Sequence, residues 1–167
     1  VTQRKGIYYL LEAMKHFSKS EAELHIIGNV FGSGTAFDKY KSMCTYHGSV
    51  SQQQLFEMYH EFDVLVLPTI FEGFALVIVE AMAAGLPVIT TAHSIGPELI
   101  NDNQNGYIVP IRNIEAIKLS IEKLVNKTEN EFEEMSKKAR SSALNYSWNK
   151  YMNRLKFFLE KINQHNN

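Results

Sequence analysis

Residues 64–88 read Val64-Leu65-Val66-Leu67-Pro68-Thr69-Ile70-Phe71-Glu72-Gly73-Phe74-Ala75-Leu76-Val77-Ile78-Val79-Glu80-Ala81-Met82-Ala83-Ala84-Gly85-Leu86-Pro87-Val88, and this stretch decides the fold. Val64 to Leu67 is a continuous apolar run closed by Pro68, the pattern of a strand buried on both faces. Phe74 to Ala84 reads as a helix terminated by Gly85, the residue that most readily ends one. Pro87-Val88-Ile89-Thr90 follows as a second buried strand.

The same alternation continues on both sides. Upstream, Gly6 to Phe17 places Ile7, Leu10, Leu11, Met14 and Phe17 at helical spacing. Leu24 to Ile27 is a short strand ending at Gly28, and a loop with Gly32 and Gly34 leads to a helix ending near Cys44. Ser51 followed three residues later by Gln54 forms a capping box that opens a helix through His60. Downstream come a strand at Tyr107-Ile108-Val109, a helix from Asn113 to about Val125, and two helices separated near Ser147. Short apolar strands alternating with helices predict an α/β fold, a Rossmann-like doubly wound parallel sheet with helices on both faces. Its ligand site lies beyond the carboxyl ends of the strands. Val1-Thr2-Gln3-Arg4-Lys5-Gly6 leads directly into a helix, so a central strand of the sheet is expected upstream.

The chain has 167 residues, 45% hydrophobic and 21% charged, which suits one soluble globular domain. A formal net charge of -1 gives no overall bias toward nucleic acid or an anionic membrane. Cys44 is the sole cysteine, so neither an intrachain disulfide nor a cysteine metal cage can form. The free thiol and the lack of an opening signal peptide predict a cytoplasmic setting. Phe74 to Thr91, the most apolar stretch, is interrupted by Glu80, Gly85 and Pro87 and does not read as a membrane span.

The chemistry concentrates where the first buried strand hands over to its helix. A helix beginning at Gly73 to Leu76 offers free backbone N–H groups and a positive dipole end, a ready site for an anion. Glu72 stands at the mouth of that site. Glu80 follows about two turns along, roughly 9–12 Å at the helical rise, a separation comparable with the two ends of a nucleotide diphosphate sugar. Glu80 also falls among apolar neighbours, where a carboxylate needs a partner. Spacing alone leaves the plainer alternative open: a dipole-complementing Glu72 and a solvated Glu80.

The run from Glu72 to Val88 closely resembles the donor-site motif of the retaining GT-B glycosyltransferases often called family 4. There, two glutamates are separated by seven residues and an Ala-Met-Ala-x-Gly-x-Pro-Val segment follows. Arg4-Lys5-Gly6 looks like that family's basic turn into the first helix, and Tyr46-His47-Gly48-Ser49-Val50 looks like its base-contacting loop. Phe62-Asp63-Val64 through Pro68 matches the strand feeding the motif. The resemblance implies that Glu80 hydrogen-bonds the ribose hydroxyls and that Glu72 contacts the transferred sugar. It implies backbone contacts from Gly73, Phe74, Ala75 and Leu76 to sugar or diphosphate, and neutralisation of the leaving diphosphate by Lys5. Ser49 and Val50 would lie against the base.

Two departures from the family pattern stand out. The loop after the next strand is Ser94-Ile95-Gly96-Pro97-Glu98 instead of Gly-Gly-x-Pro-Glu, and Arg4 is too close to Lys5 to match the family's arginine. The implied reaction is transfer of a hexosyl group from a UDP- or GDP-sugar to an acceptor hydroxyl with retention. No cofactor and no metal is expected. The acceptor, a saccharide or lipid, would bind mainly to an N-terminal domain not in this chain, and any peripheral membrane contact would come through that half. Such a fragment is expected to be inactive alone. Residues 1–148 are read as the nucleotide-sugar-binding domain and 149–167 as a C-terminal helix. The segment from Trp148 to Ile162 puts Trp148, Tyr151, Met152, Leu155, Phe158, Leu159 and Ile162 at helical spacing, and the helix would pack on the domain or across to the N-terminal one. The alternatives are a nucleotide-sugar epimerase, a polysaccharide phosphorylase, or a non-catalytic sugar-nucleotide sensor.

His47 and His93 lack further ligands at metal-binding spacing and are read as hydrogen-bonding side chains. Asn101 to Gly106 superficially resembles a calcium loop, but Arg112 occupies the place of the terminal Glu, so it reads as a polar turn.

Overall fold

A computed structural model describes residues 2–32 and 34–146, together with Met152 and Lys156. Helix α1 (Ile7–Met14) is entered from a short 3-10 turn, Gln3–Lys5. Then come β1 (Leu24–Ile27), α2 (Thr35–Asp38), β2 (Cys44–Gly48), α3 (Gln52–Met58), β3 (Leu65–Leu67) and α4 (Leu76–Ala84). The order ends with β4 (Val88–Thr91), α5 (Gly96–Leu99), β5 (Gly106–Val109), α6 (Ile114–Val125) and α7 (Glu129–Leu144).

All strand pairing between these elements is parallel, as expected for α/β alternation. It falls into two ladders, β1–β2 and β3–β4–β5. In a doubly wound order of 3-2-1-4-5-6, β2 and β1 take places 3 and 2, and β3, β4 and β5 take places 4, 5 and 6. Place 1 has no strand among the described residues.

α4 is apolar except at Glu80, and one side of it must be buried. β4 and α7 do this: Ile78, Ala81 and Met82 are fully buried and pack with Val88, Ala139 and Ala143. The Ser136 hydroxyl on α7 donates to the Gly85 carbonyl at 2.6 Å, holding the end of α4. On the other side of the molecule Leu10, Leu11 and Met14 of α1 meet Ile117, Ile121 and Leu124 of α6. The predicted cap at Ser51 forms, and the structure adds a second at Asn113. Ser51 and Gln54 make the reciprocal capping box, and Asn113 accepts from the Ala116 N–H.

The structure corrects several expectations. The helix expected to end near Cys44 is the single turn α2, followed by a 3-10 turn, and Cys44 opens β2. Tyr46, His47 and Gly48, expected in a loop, therefore lie in a strand, with Ser49 and Val50 just beyond it. β3 is half-buried along its length instead of buried, because it pairs on one edge only, with β4; β4 is the fully buried strand. α4 begins at Leu76, not at Gly73, because Ala75 adopts a left-handed φ of 62° that no helix residue can hold. The segment Asn101 to Gly106 is a polar turn, and it is built on Asn105. That side chain is 1% exposed, donates to the Leu99 carbonyl and the Ser142 hydroxyl, and accepts from the Asn101 N–H. The expected helix over 149–167 lies outside the described residues, Met152 and Lys156 apart.

Candidate functional site

The site forms beyond the carboxyl ends of β3 and β4, where the two parallel strands release their loops. Three threonines at these ends are fully buried and bond across the gap. Thr91 Oγ1 donates to the Thr69 carbonyl at 2.6 Å, and Thr90 Oγ1 donates to the Leu67 carbonyl at 2.8 Å. Further out, the Glu72 N–H donates to the His93 carbonyl at 3.0 Å, and the Ile95 N–H to the Phe74 carbonyl at 3.2 Å. The loop carrying Glu72 to Ala75 is thus braced by the loop after β4. His93 contributes here through its backbone.

The N-terminal segment docks on the same end. Gly6 has φ 69°, and a Cβ there would stand 1.9 Å from the Pro68 carbonyl oxygen, so only glycine permits this approach. The Arg4 carbonyl accepts from the Ile70 N–H at 2.8 Å and from Thr69 Oγ1 at 3.1 Å. This docking brings together groups 67 residues apart in sequence: the Lys5 ammonium donates to Glu72 Oε2. Arg4 Nη1 stands 3.8 Å from Glu72 Oε1. The hydrogen bond from Lys5 holds the Glu72 carboxyl below its ordinary range, with smaller pulls from the Lys5 and Arg4 charges and the Gly73 N–H.

Of the predicted site residues, Lys5, Glu72, Gly73, Phe74, Ala75 and Leu76 are gathered at this one place. Leu76 and Val77 open α4, where backbone N–H groups have no intrahelical acceptor. Phe71, Phe74 and Leu76 are large apolar side chains left exposed around Glu72. Glu80 shares the face of Leu76, one turn along α4. Its expected partner is Tyr59, whose hydroxyl donates to Glu80 Oε2 at 3.4 Å. Nothing but an ordinary aromatic at a helix end marks Tyr59 in the sequence, and it was not among the expected site residues.

Ser49 and Val50 follow β2 in the other ladder. There His47 Nε2 lies 2.9 Å from His25 Nδ1 with the rings stacked, in keeping with a hydrogen-bonding role. Nearby is an open recess of ≈ 610 Å³ whose lining includes Asn29, Val30, Phe37, Lys41 and Tyr46; Lys5, Glu72 and Glu80 are not part of it. Glu98, in the departing loop, accepts from the Tyr146 hydroxyl. Among the described residues no helix is long and apolar enough to cross a membrane.

The model of the family Glycosyl transferases group 1 matches residues 1–142. An uncharacterised glycosyltransferase of Methanocaldococcus jannaschii is 32% identical over 136 residues, covering 75% of this chain and 34% of that protein. Among solved structures, sucrose-phosphate synthase from Thermosynechococcus elongatus superposes with a TM-score of 0.81 at 22% identity, over 98% of this chain and 44% of the synthase. The C-terminal domain of a group 1 glycosyl transferase from Francisella tularensis gives a TM-score of 0.77 at 21% identity, over 87% of this chain and 81% of that domain. At these identities the two structures establish a shared fold. The chain spans about a third of the length of the curated relatives it matches.

Proposed function

The chain belongs to the group 1 glycosyl transferases, and on that premise we propose that it binds a nucleotide diphosphate sugar, as UDP- or GDP-sugar, and serves transfer of the hexosyl group to an acceptor hydroxyl with retention of configuration. The observation that carries this reading is the meeting of Lys5 and Arg4 with Glu72 at the start of α4. A cationic group and a carboxylate at one helix entry match the two demands of the donor. The leaving diphosphate needs positive charge, and the sugar hydroxyls need an acceptor.

In this reading the donor exchanges the partners of the pair. Lys5, backed by Arg4, turns from Glu72 to the diphosphate and stabilises its departure without calling for a metal ion. Glu72, released, accepts from hydroxyls of the sugar and orients it. The backbone from Gly73 to Leu76 lies along sugar and diphosphate, Glu80 takes the ribose hydroxyls, and Ser49 and Val50 lie against the base. The acceptor attacks from the face the diphosphate leaves, which preserves configuration.

The acceptor, saccharide or lipid, binds largely to protein outside this chain, so these 167 residues alone hold nucleotide weakly and turn over little. The setting is cytoplasmic, with any peripheral membrane contact lying in the remainder of the protein.

The test is calorimetric titration with UDP, GDP and ADP, beside a Glu80→Ala variant. Loss of one charged hydrogen-bonding group is expected to weaken the preferred nucleotide by about 1.5–3 kcal/mol, and the ranking identifies the base. Nucleotide binding indifferent to Glu80 would overturn the assignment. Epimerised free donor, or a requirement for inorganic phosphate, would redirect it to an epimerase or a phosphorylase.

A further inference from the structure

We propose that Tyr59 is a positioning residue for Glu80, acting on nucleotide binding through the ribose; the proposal rests on the reading of Glu80 as the ribose acceptor. Tyr59 lies in the 3-10 turn that ends α3, and its residue exposure is 3%. Its ring packs in the cluster of Ile78, Ala81 and Met82, the buried side of α4. From there its hydroxyl reaches Glu80, on a face where Leu76 is 62% exposed.

Among the described residues, Tyr59 is the one hydrogen-bond partner of the Glu80 side chain. Burial, and then the nearby Glu80 carboxylate, raise the Tyr59 hydroxyl above its ordinary value, so it stays a protonated donor. A glutamate on a helix otherwise has three free torsions, and ordering them on binding costs affinity. A donor rooted in the core and bonded to one carboxylate oxygen removes part of that cost and leaves the second oxygen open. The turn after α3 also follows the segment holding Ser49 and Val50. Tyr59 therefore ties the ribose acceptor to the part of the chain assigned to the base.

Tyr59→Phe keeps the ring in its cluster and removes one oxygen. In the full-length protein it is expected to weaken UDP or GDP roughly three- to tenfold, with the fold retained. The readout a structural role would not move is the sugar: 2′,3′-dideoxynucleotides, lacking the hydroxyls Glu80 accepts from, should bind both forms equally. In a Glu80→Gln background the tyrosine change should cost nothing further. Equal weakening of ribo- and dideoxynucleotides, or no weakening while Glu80→Ala still weakens, overturns the role of Tyr59 and spares that of Glu80. Failure of Glu80→Ala itself to discriminate the two sugars would instead sink the donor-site reading.

Discussion

The two ladders of this domain are built to different tolerances. In the β3–β4–β5 ladder the central strand is buried at all four positions, and Gly106 on β5 lets its neighbour's backbone come close. In the β1–β2 ladder, β2 is exposed at its three central residues, and its final glycine, Gly48, borders open space. The residues proposed to handle diphosphate and sugar stand on the first ladder, and those proposed for the base follow the second. The difference teaches where the fold invests its packing. The groups proposed to handle diphosphate and sugar are carried by the more tightly packed half, and those proposed for the nucleoside by a looser one, where side chains can change with little cost to stability.

Gly106→Ala should break that contrast most severely. Its Cβ would fall 2.3 Å from the Val88 carbonyl oxygen, so the ladder itself must move. We expect a loss of about 3 kcal/mol, the upper end of ordinary overpacking, read from chemical denaturation. Gly48→Ala is the matching probe of the other ladder. No atom lies within 4 Å of the added carbon, and the whole penalty is the left-handed φ of 70°, about 1–2 kcal/mol. Equal losses from the two substitutions would erase the distinction.

The smallest expected effect separates the ladders by pH. Glu72 has a folded-state pKa depressed below 4.5, so its stabilisation by Lys5 is present above that value and lost as pH falls through the lower one. The gap in thermal midpoint between wild type and Lys5→Met should therefore close on acidification. On the other side, a hydrogen bond to Glu12 pushes Tyr40 up to about 12. That contribution is complete below pH 10 and fades as pH rises through the higher value, so Tyr40→Phe should flatten the alkaline edge; because the same bond, after that of Lys15, holds Glu12 below its ordinary range, it should soften the acid edge in part as well.

The half of the fold that packs hardest was also the more legible in sequence. β4 and α4 announce themselves as apolar runs bounded by Pro and Gly, because deep burial restricts which residues can serve. β2, Cys-Thr-Tyr-His-Gly, is exposed and pairs on one side, so no such pressure marks it. The first residue of α4 was misplaced because the left-handed turn before it is taken by Ala75, where glycine would be the usual signal. Within the site, Glu72, Gly73 and Glu80 were readable from one local segment. The contacts of Lys5 with Glu72 and of Tyr59 with Glu80 were not, since each joins distant parts of the chain and depends on how loops dock. Asn105 shows the same limit: a polar residue in a polar stretch carries no sign that it will be buried and fully bonded.

The docking of the N-terminal turn through the Arg4 carbonyl separates attachment from chemistry. Two hydrogen bonds from Ile70 and Thr69 reach the main chain at that residue and ask nothing of its side chain. The position can therefore accept lysine, glutamine or a neutral group while the neighbouring ammonium stays on station. Charge beside Glu72 becomes an adjustable dial, set by one codon, on an anchor that does not move when the dial is turned.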